Sequence, residues 1–397
     1  MKIFDYLGIA EEDFQEKYAE TNLVDVSYHE YQETDNGGSR SPLAMLTYGR
    51  ECVKQQVWDH VTTKCRGIIF NLDTYEIVSR PFEKFHNLGT SGMPETNGDQ
   101  ITREPDAVVE KVDGFLCTMY TFEGQEYIAS KGSFHSPHAK WATAWYRRHL
   151  GHYEWPAGYT PVFEGICPSL RIVVDYGYRE ELVLLALVNI ETGEEVDGRI
   201  LEIWAAQNGL HTPTTYLMSW KAASRASIDQ NTKNFEGYVL VWNRPGATPF
   251  RLKVKYVDYL RIHRMVCGVS PKAIFQELSS GHYTGDLEIW LDQSTPWFNK
   301  FVNKWKNALE TRYDEIANRA TEAMQNACRA VRPVQYEFEV VRAFIPRKEW
   351  AEEFNKTPEL AAVLFAMLDG KDPAQIIWKK VRPLTKAAHP LVDYDSQ

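Results

Sequence analysis

The chain has no C-x-x-C pair; its six cysteines, Cys52, Cys65, Cys117, Cys167, Cys267 and Cys328, are scattered. That spacing excludes a zinc ribbon and favours reduced thiols over a disulfide frame. The pairs His135/His138 and His149/His152 lack both cysteine partners and an H-E-x-x-H acid, so they do not read as a zinc site. Long apolar runs are missing as well: the longest, Leu182 to Val188, falls far short of a bilayer span. No charged leader followed by an apolar segment opens the chain, so the expectation is a cytoplasmic protein with no membrane contact. Nothing indicates a protein partner. An excess of positive charge is lacking too, because 44 Lys and Arg face 54 Asp and Glu for a formal net charge of -10 and a pI near 5.6. This excludes a tight, non-specific nucleic-acid binder and confines any such contact to local patches. Candidates are Lys131, Lys140, Arg147 and Arg148; Arg251, Lys253, Lys255, Arg261 and Arg264; and Lys379, Lys380, Arg382 and Lys386.

What is present is an ordered series of short motifs. Lys111-Val112-Asp113-Gly114 reads as a nucleophilic lysine followed by an acid and a glycine. A deprotonated amine can attack the α-phosphate of a nucleotide and hold it through a P–N bond where backbone approaches the phosphates closely. Such a match arises by chance in about one chain in ten of this length, so the weight rests on the motifs downstream of it. Phe163-Glu164-Gly165, Asn234-Phe235-Glu236-Gly237-Tyr238-Val239 and Lys253-Val254-Lys255 come next in order. Glu164 and Glu236 can hold a ribose hydroxyl and, directly or through water, a magnesium ion. Lys253 and Lys255, two apart on a strand, project to one face and can neutralise triphosphate charge. Upstream, Lys64-Cys65-Arg66-Gly67-Ile68-Ile69-Phe70 and Arg80-Pro81-Phe82-Glu83-Lys84-Phe85-His86-Asn87 add two cations, Arg66 and Lys84.

These motifs resemble those of the covalent nucleotidyltransferase superfamily of polynucleotide ligases and capping enzymes. The upstream segments are similar to the RNA ligase 1 family, the bacteriophage-type ATP-dependent RNA ligases. Ser130-Lys131-Gly132-Ser133, Arg171 to Tyr176 and Leu182 to Glu194 agree further, and the resemblance covers roughly residues 40 to 260. His86 departs from it, standing where the family often has an aromatic. The resemblance implies ATP and Mg2+, with Mn2+ as an alternative, and RNA with 5′-phosphate and 3′-hydroxyl ends as substrate. It implies a lysyl-AMP intermediate on Lys111 and catalytic roles for Lys253 and Lys255. The nucleotide would be bound by Arg66, Lys84, Glu110, Asp113, Gly114, Lys131, Glu164, Glu236 and Val239, with metal at Glu164 and Glu236. Cations near Lys111 are expected to depress its pKa. A phage origin would place the protein in the host cytoplasm.

The first two-thirds alternates β-rich runs, at Arg66 to Asn71, Leu116 to Phe122, Leu182 to Ile190 and Tyr238 to Trp242, with turns such as Glu123-Gly124. Helices are expected at Ser136 to Leu150, Gly198 to Asn208 and Val257 to Met265. After Pro271 the spacing of Phe301, Trp305, Leu309, Tyr313 and Ile316 is helical, and Trp350 to Phe354 and Pro358 to Leu368 repeat it. A short ambiguous run spans Tyr336 to Val341. The fold class is therefore α+β: a nucleotidyltransferase domain of antiparallel sheets with flanking helices over residues 1–265, then an all-α C-terminal domain over 266–397 that would select the RNA. The aromatic stripe Phe301, Trp305, Tyr313 reads as core. Two alternatives are a GTP-dependent capping-type guanylyltransferase, which the helical tail disfavours, and a non-catalytic RNA-binding protein of the same fold.

Overall fold

A computed structural model describes residues 1–29, 42–229, 232–280, 296–331 and 345–383. The chain divides into two compact units, one of Met1–Arg264 and one beginning at Met265. The run Tyr336 to Val341 and Lys386 lie outside the described residues.

The first unit carries thirteen strands in three sheets. One sheet takes β1 (Val24–Tyr28), β2 (Leu43–Tyr48), β3 (Arg66–Asn71) and β4 (Ile77–Ser79) in that order. The remaining strands are β5 (His86–Asn87), β6 (Ala107–Lys111), β7 (Phe115–Phe122), β8 (Gln125–Ser130), β9 (Tyr159–Ile166), β10 (Glu181–Asn189), β11 (Thr215–Tyr216), β12 (Gly237–Arg244) and β13 (Ala247–Lys255). They form two sheets, ordered β10-β9-β7-β8 and β11-β6-β12-β13-β5. All pairings are antiparallel except the short one between β13 and β5. The β7–β8 hairpin closes through Glu123-Gly124, both at positive φ (49° and 72°), the geometry of a two-residue turn whose twist matches that of the strands.

Helices cover the apolar faces. Pro137–His149 is capped by Ser136, whose hydroxyl accepts from the Ala139 N–H, and buries Ala142 and Tyr146 against Cys117, Ile128 and Phe163. Gly198–Gln207 begins at Asp197, which accepts from the N–H groups of Arg199 and Ile200, and contributes Leu201 and Ala205 to the same core. A second core joins Val108, Leu240, Leu252 and Val254 with Ala223 of the helix Trp220–Ser227 and with Tyr259. This second core underlies the strands that carry the lysine motifs.

The described part of the second unit is helical: Pro271–Ser280, the long Pro296–Val331, Arg347–Phe354, Ala361–Leu368 and Ala374–Val381. Its buried residues include Val302, Leu309, Ala320, Met324 and Ala327 of the long helix, with Trp350, Phe354, Leu364 and Ile377. The expected aromatic stripe is displaced from that face. Phe301, Trp305 and Tyr313 are only half-buried, and Tyr313 packs on Trp378 with ring centroids 4.6 Å apart. The buried face of the long helix carries Val302, Leu309, Ala320, Met324 and Ala327 instead.

Candidate active site

Three neighbouring strand ends build the centre. In the register of the third sheet Gly237, at the start of β12, lies between Lys111 on β6 and Lys255 on β13. Gly237 has φ 151°, and a Cβ there would meet the Val254 carbonyl oxygen at 2.0 Å. Only glycine permits this approach. The preceding residue, Glu236, is thereby placed between both lysines: its Oε2 lies 2.7 Å from Lys111 Nζ and its Oε1 2.8 Å from Lys255 Nζ. Glu236 is 3% exposed.

A second glycine contact joins the other motifs. A Cβ on Gly114 would meet the Gly165 carbonyl oxygen at 2.2 Å, so the backbone just before β7 approaches that of β9 closely. The Gly114 N–H then donates to Glu164 Oε1 at 3.2 Å. Asp113, 5% exposed, is directed elsewhere. Its Oδ2 accepts from the Val173 and Val174 N–H groups at 3.0 and 2.7 Å, its Oδ1 from the Tyr259 hydroxyl at 2.8 Å, and its own N–H donates to the Tyr176 hydroxyl at 2.9 Å. Asp113 thus ties the segment after β9 and the helix Val257–Gly268 to the lysine loop.

Lys111 opens onto a cavity of about 640 Å3. Of the residues singled out from sequence, Arg66, Glu110, Lys111, Glu164, Val239 and Lys253 line it. Lys84 instead lines a smaller neighbouring cavity of about 210 Å3, and Asp113 and Gly114 border a narrow crevice. Glu236 and Lys255 stand behind Lys111 as an ion-pair relay. Lys131 donates to the Tyr48 hydroxyl at 3.2 Å, and its carbonyl accepts from the Thr47 hydroxyl at 2.8 Å.

The electrostatics overturn one expectation. Burial works to lower the pKa of Lys111, but the charges of Glu236 and Glu164 outweigh it, so the shift is upward and not downward. The cations expected to depress it are either paired, as Lys255 is with Glu236, or act on one another. Lys253 takes the depression: burial first, then Arg66, Lys111, Lys84 and Lys255, push its ammonium well below the ordinary lysine value. Its Nζ lies 4.5 Å from the centroid of Phe85, and Arg66 stacks on the same ring at 5.2 Å. Glu236 is held below the usual carboxylate range, since Lys111 and Lys255 overcome its burial. Glu164 is raised to about 7, by burial first and by Glu236 and Asp113 against the pull of Lys111 and Arg66.

Sequence reasoning missed several members of this assembly. Phe82 and Phe85 belong to the R-P-x-E-K-F segment, yet nothing in one sequence marks them as rings under cations. Arg251 continues the two-residue period of Lys253 and Lys255, but it is consumed by an ion pair with Glu195 and by stacking on Phe82 at 4.6 Å. Arg261 of the same basic run pairs with Asp258 at 2.8 Å. Glu195 and Tyr259 carry no local signal.

Residues 64–259 match the RNA ligase family. A putative RNA ligase of Thermovibrio ammonificans is 30% identical over 209 residues, covering 50% of this chain and 52% of the relative. RNA ligase 1 of bacteriophage TS2126 is 36% identical over 75 residues, 18% of this chain and 19% of that one. The chain thus spans about half the length of the first relative and less of the second. Among solved structures, an archaeal ATP-dependent RNA ligase is similar with 12% identity and a TM-score of 0.43, covering 77% of each chain. A Naegleria gruberi RNA ligase determined with ATP and Mn has 15% identity and a TM-score of 0.30, covering 40% of this chain and 51% of that one. The matched segment contains the motifs from Arg66 to Lys255, and across residues 64–259 the chain is similar to the RNA ligase family.

Proposed function

We propose that this protein is an ATP-dependent RNA ligase that joins 5′-phosphate and 3′-hydroxyl ends through a lysyl-AMP intermediate. The observation that carries the reading is the Lys111 ammonium, held by Glu236 at the wall of a cavity that also bears Arg66, Lys253 and Glu164. Similarity to the RNA ligase family over the same residues supports it.

The reaction consists of three displacements at phosphorus. Lys111 Nζ, once deprotonated, attacks the α-phosphorus of ATP; the P–N bond forms and pyrophosphate leaves with the electrons of the broken P–O bond. An RNA 5′-phosphate oxygen then attacks the same phosphorus and Lys111 departs. Finally the 3′-hydroxyl attacks the RNA phosphate, sealing the strand and releasing AMP. Arg66 and Lys253, facing the cavity, stabilise the charge that builds on the departing phosphates. Strand backbone beside Glu110 and the apolar wall at Val239 receive the adenine, and Glu164 the ribose. Asp113 and Gly114 shape the loop that bears Lys111, and Lys131 supports the cationic side of the site through Tyr48.

Glu164, on the cavity wall, would offer a divalent ion an oxygen ligand, and Glu236, whose two oxygens are held by Lys111 and Lys255, would join it directly or through water. Among the described residues no group of three His, Cys, Asp or Glu side chains converges on one point. Two carboxylates suit Mg2+, which binds one or two of them while keeping waters and substrate phosphates. Such an ion, when bound, supplies charge neutralisation for the triphosphate and relieves the carboxylate charge that keeps Lys111 protonated.

The helical second unit, which supplies none of these residues, is assigned to RNA selection. No described helix is long and apolar enough to cross a membrane, and the five cysteines described are free. Free thiols accord with work in a reducing cytoplasm. The test is incubation with labelled ATP or GTP and denaturing electrophoresis. Label transferred from ATP and absent in Lys111→Ala supports the ligase; label from GTP alone identifies a guanylyltransferase; no label from either leaves an RNA-binding protein.

A further inference from the structure

A second cavity abuts the nucleotide cavity. It measures about 210 Å3 and shares three wall residues with the larger one, Phe82, Phe85 and Arg251. Its walls also include Trp58, His86, Phe250, Lys84 and Arg244. Trp58 and His86 meet edge to face with ring centroids 5.7 Å apart, and Lys84 Nζ lies 4.8 Å from the Trp58 centroid. Arg244 covers Phe250 at 5.3 Å.

The charge at this cavity is unbalanced. Lys84 and Arg244 form no ion pair among the described residues, whereas Arg251 is neutralised by Glu195. Of the two acids on the wall, Glu83 is engaged by the Tyr6 hydroxyl at 2.9 Å, the Thr248 hydroxyl at 3.3 Å and Arg80 at 3.8 Å, and Glu95 is exposed. Burial, then Lys84 and Lys253, bring His86 to about 4, so its ring is neutral at neutral pH. Two cations without an ion pair among the described residues, beside two uncharged ring systems, suit one chemical unit, a nucleotide, whose phosphate takes the cations and whose base packs on the rings.

Position decides which nucleotide. Displacement at phosphorus is in line, so the group that displaces Lys111 enters opposite the Lys111–P bond, on the side pyrophosphate has left. Lys253 lines the larger cavity beside Lys111, and its Nζ lies 4.5 Å from the centroid of Phe85, a ring that lines both cavities, so it stands where the nucleotide cavity meets the second one. Resting on the ligase reading, we propose that the smaller cavity receives the 5′-terminal nucleotide of the phosphate-bearing RNA strand, with its base against Trp58 and His86 and its backbone on Arg244 and Lys84. In the step so positioned, a 5′-phosphate oxygen bonds the AMP phosphorus, the P–N bond breaks, and its electron pair returns to Lys111, which takes up a proton.

The experiment uses the full chain and a fluorescent oligoribonucleotide with or without a 5′-phosphate, read by anisotropy. Trp58→Ala and Arg244→Ala should each weaken binding of the 5′-phosphorylated strand by about fivefold or more, the scale of one lost base–aromatic or phosphate contact. Trp58→Phe should restore most of the loss. AMP transfer to Lys111 should stay within about twofold of wild type, since neither residue lines the nucleotide cavity. Binding equal to wild type in both alanine variants overturns the assignment, as does a loss that is the same with and without the 5′-phosphate. A photo-crosslinking 4-thiouridine at the 5′ position of the strand gives a reading on the wild-type protein that no misfolded variant can obscure. Crosslinks mapped to the peptides of Trp58 or His86 support the cavity, and crosslinks found only elsewhere overturn it. Strand binding needs no catalysis, so an absence of AMP adduct in the wild type would count against the ligase reading and be scored separately.

Discussion

The two units of the chain treat charge in opposite ways. Among the described residues, every buried polar or charged side chain lies between His29 and Arg251, within the sheet-rich unit. Arg80, Asp113, Glu236 and Arg251 are all there. The helical unit buries apolar groups, and its ion pairs, such as Arg319–Glu359 and Lys356–Glu353, stand at the surface. Exposed pairs contribute little to stability, whereas a buried charge is costly unless it is paired and hydrogen-bonded. A unit that retains several buried charges therefore does so for a reason other than stability, and the chemistry is expected where they gather.

The largest effect that could break this contrast is loss of the nucleophile. Lys111→Ala should lower self-adenylylation by about 10³-fold or more while leaving the sealing of pre-adenylated RNA, because the amine acts only in forming and discharging lysyl-AMP. Comparable loss of both activities in a folded variant would mean that Lys111 organises the site and does not react. Next is Glu236→Gln, which leaves two lysines facing a neutral amide. It should cost about 3 kcal/mol in chemical denaturation, the scale for breaking a buried ion pair. It should also shift the pH dependence of Lys111 labelling by an amine reagent to lower pH in the ligand-free protein, because the charge that raises Lys111 is gone. Lys253→Met should move that profile far less.

A smaller effect concerns Glu164. Its folded value, about 7, exceeds the ordinary carboxylate value of 4.5. Between these two the folded protein binds more protons than the unfolded chain, so this group makes stability fall as pH rises through that window. Glu164→Gln should remove the slope, making the variant more stable than wild type at pH 8 by about 1–2 kcal/mol relative to their difference at pH 4. Urea titrations at the two pH values measure it. Smallest of all, Arg319→Ala in the helical unit should leave the melting temperature within about 2 °C and adenylylation unchanged.

The contrast also shows what one sequence discloses. Lys111, Glu164, Glu236, Lys253 and Lys255 were legible as chemistry because each sits in a short contiguous motif, and the glycines beside them have local reasons in Gly114 and Gly237. Their charge states were not. The proton on Lys111 is set by Glu236, 125 residues away, and by a burial that only the assembled sheets create. Arg251, Lys253 and Lys255 look alike as an alternating basic strand, yet one pairs with Glu195, one is left uncompensated on Phe85 and one is bound to Glu236. The helical unit was legible as helices with Leu309 on the buried face, whereas Phe301, Trp305 and Tyr313, expected in the core, are only half-buried.

The central claim is that the buried, acid-held Lys111 is the nucleophile, even though Lys253 is the lysine whose environment most favours a free amine. Mass-spectrometric mapping of the AMP adduct after incubation of the full chain with ATP and Mg2+ distinguishes them directly. A single adduct on the peptide containing Lys111, lost in acid and stable in base as a P–N bond requires, is the expected result. An adduct on Lys253, or on any residue other than Lys111, contradicts the account.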